Sequence, residues 1–134
     1  MHMNANMTPE HRSMRVIVTG ATTWTDAGAL RREFAALPSR VIIVTGDTPG
    51  IDELAIATAH EMGLMVEPMK KSRADRKAYP DASWKGLNER MLATGIDVVL
   101  AFHPDYGKPG CARGTIHMVE LAAASGVEAR IFLS

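Results

Sequence analysis

The stretch RVIVTGATTWTD, residues 15–26, decides the fold. It begins with a β-branched apolar run, turns at Gly20 and leads through threonines to Asp26, after which apolar residues recur with helical spacing. A similar order follows at residues 40–52, RVIIVTGDTPGID. An apolar run that passes through a glycine turn into a helix is typical of a buried strand in a parallel sheet, followed by its crossover helix.

The alternation continues along the chain. Apolar runs lie at residues 15–20, 40–46, 63–69, 96–102 and 127–133, and helical patterns lie at residues 26–37, 50–62, 82–94 and 114–125. In the third helical pattern, Trp84, Leu87 and Met91 fall on one face. Strands and helices that alternate with short connections predict right-handed crossovers. We therefore predict a single Rossmann-like three-layer α/β domain with about five mainly parallel strands and helices on both faces.

The composition is that of a globular chain that can bury one core, since 46% of its 134 residues are hydrophobic and 22% are charged. Fifteen basic residues balance fifteen acidic ones. This balance counts against a general nucleic-acid binder, whose surface is usually basic. The single cysteine, Cys111, cannot form a disulfide within the chain, which fits a reducing cytoplasm.

No apolar run is long enough to span a membrane, so we predict no membrane association. The start of the chain is polar and lacks the hydrophobic segment of a secretory signal. We expect a flexible arm at residues 1–13, the single α/β domain at residues 14–134, and a cytoplasmic location. The sequence predicts neither a bound metal nor a cofactor.

In a doubly wound sheet, ligands bind beyond the carboxyl ends of the strands. This rule selects four loops, at residues 20–26, 46–52, 69–81 and 103–113. In the first loop, Gly20 permits a tight turn and Thr22 offers a hydroxyl, whereas Trp24 either stacks on a base or packs beneath the loop. The loop matches neither the P-loop pattern nor the dinucleotide glycine pattern.

The second and third loops are rich in glycine and in charge, respectively. In the second, Gly46 and Gly50 flank Asp47. Asp52 either favours the dipole of the following helix or accepts a hydrogen bond from a ribose hydroxyl. The third loop contains KKSRADRK, residues 70–77, which is either a solvated charged face or a phosphate contact.

In the fourth loop, Arg113, Gly114 and Thr115 stand at the start of the last helical pattern. Gly114 permits close approach of the backbone, Thr115 offers a hydroxyl, and a helix N-terminus attracts anions. Four such loops at one edge of one sheet predict a nucleotide-type ligand.

Arg90 belongs to the segment NERML, residues 88–92, on the third helical pattern. It is either a surface residue paired with Glu89 or Glu33, or a bidentate donor to a phosphate or carboxylate of the ligand.

The segments RVIVTGATTWTD, VTGDTPGIDELA, NERML and AFHPDY…ARGTIHMVELA occur in this order. Together they resemble the SLOG superfamily, the Rossmann-like group that contains the LOG phosphoribohydrolases and DprA, and within it the YspA/YpsA-related branch of bacterial and phage proteins. The resemblance covers residues 14–133 and implies a nucleotide or nucleotide-derived ligand at the sheet edge. With the four loops, it gives these ligand-binding candidates: Gly20, Thr22, Trp24, Gly46, Asp47, Gly50, Asp52, Asn88, Arg90, Arg113, Gly114 and Thr115.

The resemblance also implies a possible site of catalysis. In LOG enzymes an Arg on the corresponding helix and a Glu after the Gly-Thr cleave an N-glycosidic bond. Arg90 matches the Arg, but the Glu position, two residues after Thr115, is His117. Histidine can act as an acid or base near neutral pH, although it does not supply a carboxylate's negative charge. Glu120, one helical turn further on, is the alternative carboxylate.

Three functions follow as hypotheses. The first is a binding module that senses or sequesters a nucleotide derivative, and the missing Glu favours it. The second is a LOG-like nucleotide N-glycosidase, that is, a nucleoside 5′-monophosphate phosphoribohydrolase. The third is DprA-like binding of single-stranded DNA, which the neutral charge and the few aromatic residues disfavour. The resemblance further implies a homodimer or a higher homo-oligomer.

Overall fold

The computed structural model describes residues 13–134, so the expected arm lies outside the described residues except for Ser13. The strands are β1 (Met14–Gly20), β2 (Val41–Thr45), β3 (Met65–Pro68), β4 (Val98–Phe102) and β5 (Glu128–Phe132). The helices are α1 (Ala27–Ala35), α2 (Ile51–Glu61), α3 (Arg73–Ala78), α4 (Trp84–Leu92) and α5 (Arg113–Ala124). No helix in this part of the chain has the length and apolar character needed to cross a membrane.

The five strands form one parallel sheet in the order β3-β2-β1-β4-β5. The predicted Rossmann-like α/β class is therefore confirmed. β1 pairs with β2 on one side and with β4 on the other, so the strand order reverses between β1 and β4. Gly20 at the end of β1 lies beside Phe102 at the end of β4. In sheets of this kind, the crevice at the reversal point is where ligands bind.

The core lies on both faces of the sheet, and β1 contributes to each. Val16 and Val18 belong to the cluster that includes residues of α1 and α2, whereas Ile17 belongs to the cluster that includes residues of α4 and α5. All three side chains are fully buried. Coverage of both faces by helices explains why the strands are continuous apolar runs and do not alternate with polar residues.

One helix was not predicted. The sequence was interpreted as a charged loop over residues 69–81, but residues Arg73–Ala78 form α3. A capping box begins this helix: the backbone N–H of Asp75 donates to the Ser72 hydroxyl, and the backbone N–H of Ser72 donates to the Asp75 carboxylate. Part of the charged segment at residues 70–77 is therefore a helix whose one buried residue is acidic.

Candidate functional site

A pocket of about 380 Å³ lies at the carboxyl edge of the sheet. Its wall includes the end of β1, residues from the loops after β1, β2, β3 and β4, one side of α4 and the first turn of α5. Each of the four loops selected from the sequence contributes to this wall. Of the candidates named above, the lining includes Gly20, Thr22, Gly46, Asp52, Asn88, Arg113, Gly114 and Thr115.

Six candidates do not line this pocket: Trp24, Asp47, Gly50, Arg90, His117 and Glu120. Gly50 is a turn residue with a φ of 78°, and a Cβ there would lie 2.0 Å from the carbonyl oxygen of Thr22. Gly20 is similarly crowded, because a Cβ would lie 2.0 Å from the carbonyl oxygen of Phe102. Both glycines allow the loops after β1 and β2 to pack against neighbouring backbone.

The first turn of α5 presents free hydrogen-bond donors. The first helical bond is donated by Ile116 to the carbonyl of Ala112, so the N–H groups of residues 113–115 have no acceptor in the part of the chain that the structure describes. Ala112 precedes them in the left-handed conformation, with a φ of 58°, and makes no side-chain cap. A left-handed residue followed by helical ones turns successive N–H groups toward a common concavity, which suits an anion.

Thr115 lies in the same turn and lines the pocket. The residue is only 3% exposed. Its hydroxyl therefore adds a side-chain hydrogen-bonding group to the free N–H groups at the start of α5.

Two cationic side chains, Lys71 and Arg113, line the pocket. The Arg113 guanidinium lies 5.9 Å from the centre of the Trp84 ring. The Lys71 ammonium is 2.6 Å from Asp47 Oδ1, and the Lys71 backbone N–H donates to Asp47 Oδ2 over 3.1 Å. Burial alone raises the pKa of Asp47, but the bonds from Lys71 outweigh it and the pKa is lowered. Asp47 therefore contacts Lys71 and not the pocket itself.

Asp52 is the carboxylate in the pocket lining. It is 6% exposed and accepts hydrogen bonds from the Thr45 hydroxyl over 2.8 Å and from the Thr48 backbone N–H over 3.0 Å. Burial raises its pKa, although these hydrogen bonds oppose the shift. The Thr48 side chain also hydrogen-bonds this carboxylate, which can accept about four bonds in all. Asp52 thus fixes the loop after β2 and still presents acceptors to the pocket.

The structure distinguishes between the two tryptophans. Trp24 is 7% exposed, its ring packs edge-on against Phe102, and its Nε1 donates to the carbonyl of Asp26 over 3.0 Å. It packs beneath the loop, so the base-stacking interpretation of Trp24 is not supported. Trp84 lines the pocket instead. The sequence analysis treated Trp84 only as part of an apolar helix face, although its place at the start of α4 near the ligand edge was a usable signal.

Arg90 makes an internal ion pair. Its Nε donates to Asp75 Oδ1 over 3.0 Å, and its Nη2 donates to Asp75 Oδ2 over 2.5 Å and to the Lys70 carbonyl over 2.6 Å. The partner is therefore Asp75, and neither Glu89 nor Glu33 as the sequence suggested. The hydrogen bond from Arg90 lowers the pKa of Asp75 to about 2, against the opposing effect of burial.

His117 lies behind the pocket wall. Its Nδ1 is 3.1 Å from Asn88 Nδ2, which also donates to the Gly114 carbonyl over 3.1 Å. An amide Nδ2 only donates, so His117 Nδ1 accepts and the ring proton is on Nε2. Burial lowers the pKa of His117. His117 therefore orients Asn88, which does line the pocket, whereas Glu120 is exposed and does not line it.

His103 is a lining residue that the sequence analysis did not single out. Its Nδ1 accepts a hydrogen bond from the backbone N–H of Asp105 over 3.1 Å, which assigns the ring proton to Nε2 when the ring is neutral. Its position directly after β4 was the only signal in the sequence. Within residues 13–134 there is no group of three or more His, Cys, Asp or Glu side chains placed to hold a metal ion.

No protein-family model and no curated protein sequence matches this chain. Among solved structures, it is similar to DNA processing protein A (DprA) from Streptococcus pneumoniae, with a TM-score of 0.66 and 16% identity over 89% of this chain and 50% of that one. The chain shares its fold with part of DprA. This similarity agrees with the predicted Rossmann-like α/β fold. The chain spans about half the length of the DprA chain.

Two further solved structures are only loosely similar. A C-terminal hydrogenase domain from Pyrococcus furiosus aligns with a TM-score of 0.46 and 17% identity, over 95% of this chain and 97% of that one. Glycinamide ribonucleotide transformylase 1 from Symbiobacterium toebii aligns with a TM-score of 0.39 and 20% identity, over 74% of this chain and 44% of that one.

Proposed function

We propose that this protein binds a nucleotide or nucleotide-derived molecule in the pocket at the carboxyl edge of the sheet, and acts as a sensor or sequestering module of the YspA/YpsA-related branch of the SLOG superfamily. The observation that carries the proposal is the first turn of α5, whose free N–H groups lie at a pocket that Thr115 and two cationic side chains also line. A phosphate oxygen would accept hydrogen bonds from these N–H groups and from the Thr115 hydroxyl.

The chemistry of the pocket wall suits the three parts of a nucleotide. Lys71 and Arg113 supply positive charge near the helix start, for a phosphate. Asp52 supplies acceptors for sugar hydroxyls, and Trp84 supplies an aromatic surface for a base. The volume of about 380 Å³ lies in the range of about 300–1,000 Å³ that small-molecule sites occupy.

The positions of three residues favour a protein that binds its ligand over one that cleaves it. Of the three residues that the resemblance associates with catalysis, Arg90 is bonded to Asp75, His117 is bonded to Asn88, and Glu120 is exposed. None of them lines the pocket. A LOG-like N-glycosidase would therefore need a different set of catalytic groups in this chain.

The similarity to part of DprA, a protein named for DNA processing, raises a second candidate, the binding of single-stranded DNA. The equal numbers of acidic and basic residues argue against it, because nonspecific DNA binding depends on an excess of positive charge. A steep loss of DNA affinity with rising salt would distinguish this function from binding of a single nucleotide. Our proposal also includes a homodimer or higher homo-oligomer, which light scattering after size-exclusion chromatography would test.

The direct test is a thermal-shift assay with AMP, NAD, ADP-ribose and cyclic dinucleotides, followed by chromatography of the recovered ligand. We expect at least one of them to stabilise the protein and to be recovered intact. Thr115→Val, which removes the hydroxyl, should weaken binding of that ligand about tenfold, and Thr115→Ser should preserve it. Absence of any stabilising ligand, or unchanged affinity in Thr115→Val, would refute the proposal, and recovery of free base would favour the glycosidase.

A further inference from the structure

We infer that Lys71 is the side chain that binds the ligand's phosphate by exchanging Asp47 for it, and that Arg90 is a positioning residue that holds the Lys71 loop in place. This inference rests on the proposed function. It names the residue that binds the anionic group of the ligand, and it gives Arg90 an indirect role in that binding. It gives Arg90 a different task from the catalytic one that the resemblance implied.

Lys71 lies between the pocket and a carboxylate outside the pocket, with which it forms an ion pair. The side chain lines the pocket, while its ammonium lies 2.6 Å from Asp47 Oδ1. Both side chains of the pair are 28% exposed, so the bond lies at the protein surface. Ion pairs that water reaches contribute little to stability, about 0–1 kcal/mol, and they exchange readily for a stronger partner. A phosphate with up to two negative charges at the start of α5 is such a partner.

The loop that carries Lys71 is bonded at every residue from 69 to 72. Met69 donates its backbone N–H to the Thr45 carbonyl over 2.8 Å, and Lys71 donates its own to Asp47. Ser72 donates its backbone N–H to Asp75 over 2.8 Å. The carbonyl of Lys70 accepts from Arg90 over 2.6 Å. The backbone position of Lys71 is therefore set by its neighbours, and two of the four bonds depend on Arg90 or on its partner Asp75.

Arg90 is well placed to hold this loop and poorly placed to contact a ligand. Its Nε and Nη2 are both bonded to Asp75, and its Nη2 also reaches the Lys70 carbonyl. The Asp75 side chain is only 4% exposed and requires a partner for its charge, so the pair is not free to separate. The Arg90 side chain is itself 39% exposed but does not line the pocket, so we expect it to affect the ligand through the loop at residues 69–72.

Asp47 competes with the ligand for Lys71. Its carboxylate repels a phosphate and occupies the ammonium that the phosphate would contact. Asp47→Asn removes the charge but keeps one oxygen that can accept from the Lys71 backbone. This variant should therefore bind an anionic ligand several-fold more tightly than the wild type.

The experiment measures binding of AMP and of inorganic pyrophosphate by ¹H–¹⁵N NMR titration of the full chain. We expect Lys71→Met to weaken the binding of both probes about tenfold. Lys77→Met is the matched control, because it removes the same charge from an exposed lysine of the same charged segment, and its affinity should stay within twofold of wild type. Arg90→Gln should also weaken binding, with no further loss when it is combined with Lys71→Met.

The outcomes separate the two proposals. If the wild type binds neither probe, the proposed function and this inference both fail for phosphate ligands. If the wild type binds and Lys71→Met binds equally well, the inference alone is wrong. Additive losses in Arg90→Gln/Lys71→Met would mean that Arg90 contacts the ligand itself, which also overturns the positioning role. If Arg90→Gln does not give a folded spectrum, Arg90→Lys carries the test of Arg90. Asp47→Asn tests the role of Lys71 separately, and an affinity equal to that of the wild type would contradict the exchange.

Discussion

Arg90 on α4 and Asp75 on α3 form a bidentate ion pair, with Nε–Oδ1 and Nη2–Oδ2 distances of 3.0 and 2.5 Å. The pair connects the helix that the sequence analysis missed to a helix that lines the pocket. Gly86 makes the contact close, since a Cβ there would lie 2.6 Å from Asp75 Oδ1. An arginine whose spacing suggested a ligand contact is therefore part of the internal structure that supports the pocket.

The Asp75–Arg90 pair predicts a specific acid sensitivity. The folded-state pKa of Asp75 is about 2, below its ordinary value of 3.8, so the pair's contribution is complete above pH about 4 and is lost as the pH falls toward about 2. At neutral pH, we expect Asp75→Asn to lower the free energy of unfolding by about 2–3 kcal/mol. Urea denaturation at several pH values checks this, and a wild-type-to-variant difference that stays constant from pH 5 to pH 2.5 would contradict it.

The two glycines that flank α2 should respond differently to substitution. Gly50→Ala places a Cβ 2.0 Å from the Thr22 carbonyl oxygen at a positive φ of 78°, so we expect a loss of about 2–4 kcal/mol. Gly63→Ala is the control, because its φ of 73° is similar but no atom lies within 4 Å of the added Cβ. It should lose only about 1–2 kcal/mol. Equal losses in urea denaturation would show that steric crowding at Gly50 is unimportant.

Ligand binding should be visible in the fluorescence of one tryptophan. Trp84 lines the pocket and Trp24 is packed against Phe102, so a bound nucleotide should change the emission of Trp84 alone. We expect Trp84→Phe to abolish the ligand-dependent change and Trp24→Phe to retain it. The measurement is emission after excitation of tryptophan, titrated with the ligand that gives the largest thermal shift. A fluorescence change that disappears in Trp24→Phe and persists in Trp84→Phe would show that the ligand binds away from α4.

His117 should make the protein less stable in mild acid. Burial lowers its pKa below the ordinary value of 6.5, while Glu89 and Glu120 oppose this effect and Lys85 adds to it. A lowered pKa means that the unfolded chain binds the proton more tightly, so stability falls as the pH drops through about 6.5. Protonation would also remove the acceptor for Asn88.

His117→Gln provides the measurement for that prediction, because its amide oxygen can accept from Asn88 and does not titrate. The difference in unfolding free energy between wild type and variant should change between pH 7.5 and pH 5, with the wild type losing more. The other four histidines are present in both proteins, so their contributions to the unfolding free energy cancel in the difference. A difference that is independent of pH would mean that His117 titrates as it does in the unfolded chain.

Several features of the site were predictable because they depend on short stretches of sequence. The turn at Gly20 follows from a glycine directly after a β-branched apolar run. Gly114 and Thr115 at the start of α5 are a local pattern of the same kind. The capping box of α3 was also visible as Ser72 and Asp75, but the surrounding basic residues led to the interpretation of a charged loop.

The sequence by itself determined the alternation of buried strands and helices, and with it the edge of the sheet where the pocket lies, because periodicity and glycine turns are properties of neighbouring residues. Only the tertiary structure decided which side chains reach that pocket. Trp24 and Trp84 are chemically identical, and packing against Phe102 buries the first. The bond between Arg90 and Asp75 and the bond between Lys71 and Asp47 join residues 15 and 24 positions apart. Such pairings depend on how α3, α4 and the strand ends pack in space, which no local pattern encodes.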